Sequence, residues 1–147
     1  MEFKTPNSLK VEHEELHEEL AKATREGGKI GYAAKAVAEI LHTHFGKEEE
    51  YAMPPLGLLT HLMEGKVTPE MKAVLPMTEK MKAELPQMLK EHRQIVAALQ
   101  KLSDAAKKER KTEYVRFAEK LVLHAQTEEH VYYPTTILIG DYIKHKT

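Results

Sequence analysis

Apolar residues recur at spacings of three and four along most of the chain, a period that predicts helices rather than strands. Leu9, Leu16 and Leu20 form a first stripe, which Asn7 or Ser8 can cap and which Gly27-Gly28 ends. Ile30, Ala33, Val37, Ile40 and Leu41 form a second, predicted to run from Ile30 to Met53 until Pro54-Pro55 stops it. A third stripe, Met81, Leu85, Met88, Ile95, Val96, Leu99 and Leu102, predicts a long helix from about Thr78 to Leu102, with Pro86 kinking it or marking its start. Tyr114, Phe117, Leu121 and Val131 mark a fourth, from about Thr112 to Tyr133. The weaker pattern from Leu56 to Pro76 reads as a partly helical excursion with a short helix opening at Thr68-Pro69-Glu70, and Pro134 turns the chain into a last segment, Thr135 to Lys144. The fold class expected is all-α: an antiparallel up-down four-helix bundle, with a short helical excursion at about 56–77 and a short C-terminal helix, as one domain over residues 1–147.

The stripes are interrupted in a way that bears on chemistry. His13 takes a core position in the first, His44, Glu48 and Tyr51 continue the second, His92 lies in the third, and His124 and Glu128 lie in the fourth. Ionisable groups in such positions cost several kcal/mol unless they are paired or bind a metal. The placements also repeat. Glu12-His13 resembles Glu91-His92, and His44-x-x-x-Glu48-Glu49 resembles His124-x-x-x-Glu128-Glu129, with a proline six residues past each motif glutamate. The two histidines of each half are 31 and 32 residues apart. At ~1.5 Å of rise per residue, His13 and His44 lie at similar heights above the glycine turn, and His92 and His124 are nearly equidistant from their connector. Four imidazoles and two carboxylates are therefore expected in one slab of the bundle.

A His-x-x-x-Glu pair presents both side chains on one helix face, one turn apart. Two such pairs, with one more histidine from each remaining helix, suit two cations bridged by the glutamates and capped by the imidazoles. Cysteine is absent, so disulfides and thiolate sites are excluded and any metal is held by nitrogen and oxygen. That donor set suits iron, manganese or zinc, and a bridged pair with open positions is most natural for iron. The nine histidines matter for where they fall. A formal net charge of −1 with interspersed signs gives no footprint for nucleic acid, and no stretch has the length of a membrane span. The polar start, Met1 to Pro6, carries no apolar leader, and a cytoplasmic location is expected.

The combination Glu12-His13, His44-x-x-x-Glu48-Glu49, Glu91-His92 and His124-x-x-x-Glu128-Glu129, closing on Tyr133-Pro134, resembles the hemerythrin-like His-His-Glu cation-binding domains over nearly the whole chain. The resemblance implies a non-haem di-iron centre in a four-helix bundle, with His13, His44, His92 and His124 as terminal ligands and Glu48 and Glu128 as bridges. A ferritin-like site, with Glu-x-x-His spacing and more carboxylates, fits less well. The chain departs from the oxygen-carrying members of the family. They have a His-x-x-x-His pair on the third helix, whereas Val96 follows His92 here and the extra histidine, His17, is on the first. His17 is read as either a fifth ligand or a partly exposed helix residue. Tyr51 is read as a core tyrosine, a hydrogen-bond donor to a bridging group, or a ligand. Glu12, Glu49, Glu50, Glu91 and Glu129 are read as solvated helix faces, and His42 and His130 as surface residues.

The implied partner is a small oxidant: peroxide, oxygen or nitric oxide. Peroxide decomposition is the preferred reaction, with Tyr51 or His17 as proton donor or extra ligand. A non-catalytic oxygen or iron sensor or storage module is the alternative, and a helical scaffold that picks up zinc is a third reading.

Overall fold

The structure is a computed structural model that describes residues 3–147, so Met1 and Glu2 of the polar start lie outside it. Every regular element among the described residues is helical. Helix α1 spans Asn7–Arg25 and α2 spans Gly28–Lys47. Gly27 and Gly28 join them at φ of 79° and 59°, backbone that favours residues without a Cβ. A π turn, Glu48–Ala52, and a 3₁₀ turn, Pro54–Leu58, follow α2. The excursion then continues through α3, Leu59–Met63, and a second 3₁₀ stretch, Pro69–Val74. Helix α4 runs unbroken from Leu75 to Lys108, α5 spans Thr112–Thr127, a second π turn covers Glu128–Tyr132, and α6 spans Tyr133–Lys146.

Several boundaries differ from the periodicity. Helix α1 has Pro6 at its N-cap and no side-chain cap; the Leu9 and Lys10 N–H groups donate to the Pro6 carbonyl instead. Pro86 lies inside α4 without ending it, and it is exposed, where its ring and missing N–H disturb least. The clearest difference is the paired π turns. In a continuing α-helix the Pro54 ring would press on the Glu50 carbonyl, and the Pro134 ring on that of His130. Widening the preceding turn relieves both clashes. The Met53 N–H then donates to the Glu48 carbonyl at 2.9 Å and the Tyr133 N–H to that of Glu128, each five residues back.

Helices α1, α2, α4 and α5 share one apolar cluster, built on Leu16, Leu20, Ile30, Val37, Leu41, Phe45, Ile95, Leu99, Phe117 and Leu121. A second cluster gathers Tyr51, Met53, Leu58, Met71, Met81, Met88, Tyr133 and Ile139 from the excursion, the start of α4 and α6. Thr136 Oγ1 donates to the Ala52 carbonyl at 2.6 Å and ties α6 to the first π turn. Along α2, α4 and α5 the polar motif residues fall between members of the two clusters. Leu41 precedes His44 and Tyr51 follows Glu48; Met88 precedes His92 and Ile95 follows it; Leu121 precedes His124 and Tyr133 follows Glu128. The polar slab is thus sealed above and below by apolar side chains.

Gly46 is exposed within α2, and a Cβ there would meet nothing within 4 Å. Gly46→Ala should therefore raise the unfolding free energy by about 1 kcal/mol, read as a higher midpoint in urea denaturation. A loss of stability would mean that the glycine serves a close packing contact.

Candidate metal centre

Each of the six motif side chains is buried: His13 at 4%, His44 at 1%, Glu48 at 0%, His92 at 2%, His124 at 6% and Glu128 at 1% exposure. They meet in two overlapping groups with donor atoms within 4.8 Å of one another, His44 with Glu48, His92 and Glu128, and His13 with His124 and Glu128. Glu128 belongs to both. Its Oε1 lies 3.0 Å from His92 Nε2, and its Oε2 lies 3.0 Å from His124 Nε2 and 3.4 Å from His13 Nε2. Glu48 Oε1 is 3.7 Å from His44 Nε2 and 4.0 Å from His13 Nε2, so it reaches both groups as well.

Carboxylates behind the imidazoles fix which nitrogen faces inward. Glu91 accepts from His44 Nδ1 at 2.9 Å, Glu129 from His92 Nδ1 at 2.9 Å, and Glu12 from His124 Nδ1. With those protons on Nδ1, the three Nε2 lone pairs point into the slab. Glu12, Glu91 and Glu129, expected as solvated faces, are thus engaged with the site. Glu91 is itself held by the Lys47 ammonium at 2.6 Å and by Gln87 at 3.1 Å. Burial works against its charge, but Lys47, His44 and Gln87 outweigh it and bring its pKa down to about 2. Among the described residues His13 has no such carboxylate; its ring instead stacks on Phe45, centroids 4.4 Å apart and 5° from parallel.

The hydroxyl of Tyr133 stands in the middle of the first group. Its Oη donates to Glu48 Oε2 at 2.8 Å and lies 3.1 Å from His92 Nε2, 3.2 Å from His44 Nε2 and 3.4 Å from Glu128 Oε1. Periodicity did not single out Tyr133 because it follows Glu128 by five residues, off an α-helical stripe. The signal was present in Pro134: a proline there widens the turn before it, and the fifth residue then faces where the fourth would. Tyr51, three past Glu48, takes another path. Among the described residues its hydroxyl has no hydrogen-bond partner; its ring packs in the apolar cluster, and the Lys80 ammonium lies 5.2 Å from the ring centre. His17 is exposed, with its ring edge-on to Phe45 at 4.8 Å, and burial lowers its pKa despite Glu49. Neither belongs to the two donor groups. His42 and His130 are exposed, as expected.

The slab is short of protons. Three inward-facing lone pairs and two carboxylates outnumber the hydrogens that the Tyr133 phenol and the His13 ring can offer. Among the described residues Glu48 Oε1 and Glu128 Oε2 are buried with no hydrogen-bond partner. His13 Nε2 and His124 Nε2 face each other at 3.1 Å. A buried, all-acceptor cluster of this kind fits a cation, and its nitrogen–oxygen composition fits iron, manganese or zinc. Titration follows the same logic. Burial and the Glu128 carboxylate push Glu48 well above the usual carboxylate range. Burial depresses His92 and His124, but Glu128, with Glu129 behind one ring and Glu12 behind the other, raises both above the ordinary imidazole value.

Residues 5–136 match the model of the hemerythrin HHE cation binding domain, and the chain belongs to that family, whose members bind metal ions, typically iron. No curated protein and no solved structure matches the chain.

Two outcomes are expected. Protons held by Glu48, His92 and His124 must leave before a cation occupies their lone pairs, so metal affinity rises with pH and weakens as these groups protonate on acidification. Calorimetric titration in buffers of different ionisation enthalpy should therefore register net proton release, and none would be seen if the site were already deprotonated. Glu91→Ala should weaken metal retention by about 10–100-fold in a chelator competition, while His130→Ala leaves it unchanged.

Proposed function

We propose that this chain is a non-haem di-iron protein that binds and processes a small oxidant, with peroxide decomposition as its reaction. The observation that carries this reading is the pair of orphaned carboxylate oxygens, Glu48 Oε1 and Glu128 Oε2, buried among inward-facing imidazoles. In this reading His13, His44, His92, His124, Glu48 and Glu128 would hold the ions inside an up-down bundle. Iron bound there would supply Lewis acidity and paired one-electron steps, enough to take one peroxide to oxygen and a second to two waters.

The chain's own residues then have distinct tasks. Glu12, Glu91 and Glu129 keep three imidazoles oriented and, as anions, raise their basicity. The two apolar clusters exclude bulk water and strengthen every charge interaction between them. Tyr133 fills the space between His44 and His92 with a hydroxyl that donates its hydrogen bond to Glu48; burial and both glutamates push its pKa up, which keeps the proton on the phenol. The second group has fewer donors and no phenol, and so is the half with room for an incoming molecule.

Metal analysis of protein purified without a histidine tag should give about two irons per chain, and His44→Ala and Glu128→Ala should each lose metal. Iron-loaded protein should evolve oxygen from peroxide. Iron at full occupancy without oxygen evolution would leave the non-catalytic sensor or storage function, and zinc alone would sink both.

A further inference from the structure

A cavity of about 470 Å³ reaches one half of the centre from outside. Three pieces enclose it: the strap of chain before α1, with Lys4 and Thr5; the first turns of α1, with Asn7 and Lys10; and the π turn after α2. The two deepest lining residues are His13, 4% exposed, and Met53, fully buried. His13 belongs to the donor group of three, and its ring has no carboxylate behind it.

The internal repeat explains why the opening is on this side. Met53 follows Glu48 by five residues as Tyr133 follows Glu128, and each is delivered by a π turn ahead of a proline. On one side that position carries a hydroxyl bonded into the centre; on the other it carries a thioether that offers no hydrogen to the acceptors. Tyr133 fills the middle of its half, which only a smaller groove of about 270 Å³ beside His92 and Val96 approaches from outside, whereas Met53 leaves an apolar wall beside the larger cavity.

The outer wall is held in place at three points. Phe3 packs on the lower apolar cluster, and the Pro6 carbonyl accepts from the Leu9 and Lys10 N–H groups at 3.0 and 3.2 Å. Between these anchors the Lys4 carbonyl lies so close to Gly57 that a Cβ there would stand 2.1 Å from it, so any larger residue must displace the strap. The charged side chains at the cavity balance in number, Lys4 and Lys10 against Glu14 and Glu49, so its lining carries no net charge that would favour an ion of either sign.

We propose that this cavity is the port through which a small uncharged oxidant reaches the His13 half of the centre, and that the strap seated on Gly57 sets its width. The proposal rests on the di-iron reading for its ligand, but the port itself can be tested without metal. Association of nitric oxide with the iron-loaded, reduced chain should slow by about tenfold in Lys10→Trp, at unchanged iron content. It should speed up in Gly57→Ala and stay unchanged in Val96→Trp, which fills the groove beside His92. In the metal-free chain, diethylpyrocarbonate should label His13 faster than His44 or His124, and Lys10→Trp should suppress that difference. Slower association in Val96→Trp than in Lys10→Trp would overturn the port, as would His13 labelling no faster than His44. A chain that takes up no iron would defeat the di-iron reading, while the labelling order still decides the port.

Discussion

The fold is arranged around a shortage of hydrogen-bond donors. Six imidazole and carboxylate side chains from four helices converge in a layer between two apolar clusters, with more acceptor atoms than the Tyr133 phenol and the His13 ring have hydrogens to satisfy. Such a layer is costly when metal-free. Burial and the Glu128 carboxylate raise Glu48, and Glu128 with Glu129 and Glu12 raises His92 and His124 against their burial, whereas burial lowers His44. A cation would resolve the same imbalance by taking the lone pairs as ligands. The apolar clusters strengthen the electrostatics by keeping water out.

Two helical hairpins related by an internal repeat build this layer, and their differences are as informative as their likeness. Glu12 backs His124 just as Glu91 backs His44, each from the residue before a motif histidine. Beyond that the symmetry fails twice at one end. Glu129 accepts from His92, but its counterpart Glu49 makes no such bond to His13 and lies at the cavity instead. Tyr133 enters the centre, but its counterpart is Met53. Both departures strip the His13 half of support that the His92 half retains, and the cavity opens there.

Much of this was legible in the sequence. Stripes of three-and-four spacing located the four long helices, and the ionisable residues within them identified the buried six, because burial follows from the face a residue occupies. Two kinds of residue escaped. Tyr133 lay off the stripe because Pro134 replaces an α turn with a π turn, which shifts the register by one residue. Counting at α-helical spacing led instead to Tyr51, whose hydroxyl bonds to nothing. Glu12, Glu91 and Glu129 lie beside the motif residues and so point sideways, toward a neighbouring helix. Whether a sideways carboxylate meets solvent or an imidazole depends on packing between helices, which periodicity along one helix does not encode.

Anomalous diffraction at the iron absorption edge, from crystals of the iron-loaded chain, tests the central claim most directly. Two peaks are expected inside the bundle, one beside His44, His92 and Tyr133 and the other beside His13 and His124, with Glu48 and Glu128 spanning the space between them. Iron found only at the surface, with the inward-facing imidazoles and the two orphaned carboxylate oxygens left without a cation, would contradict it.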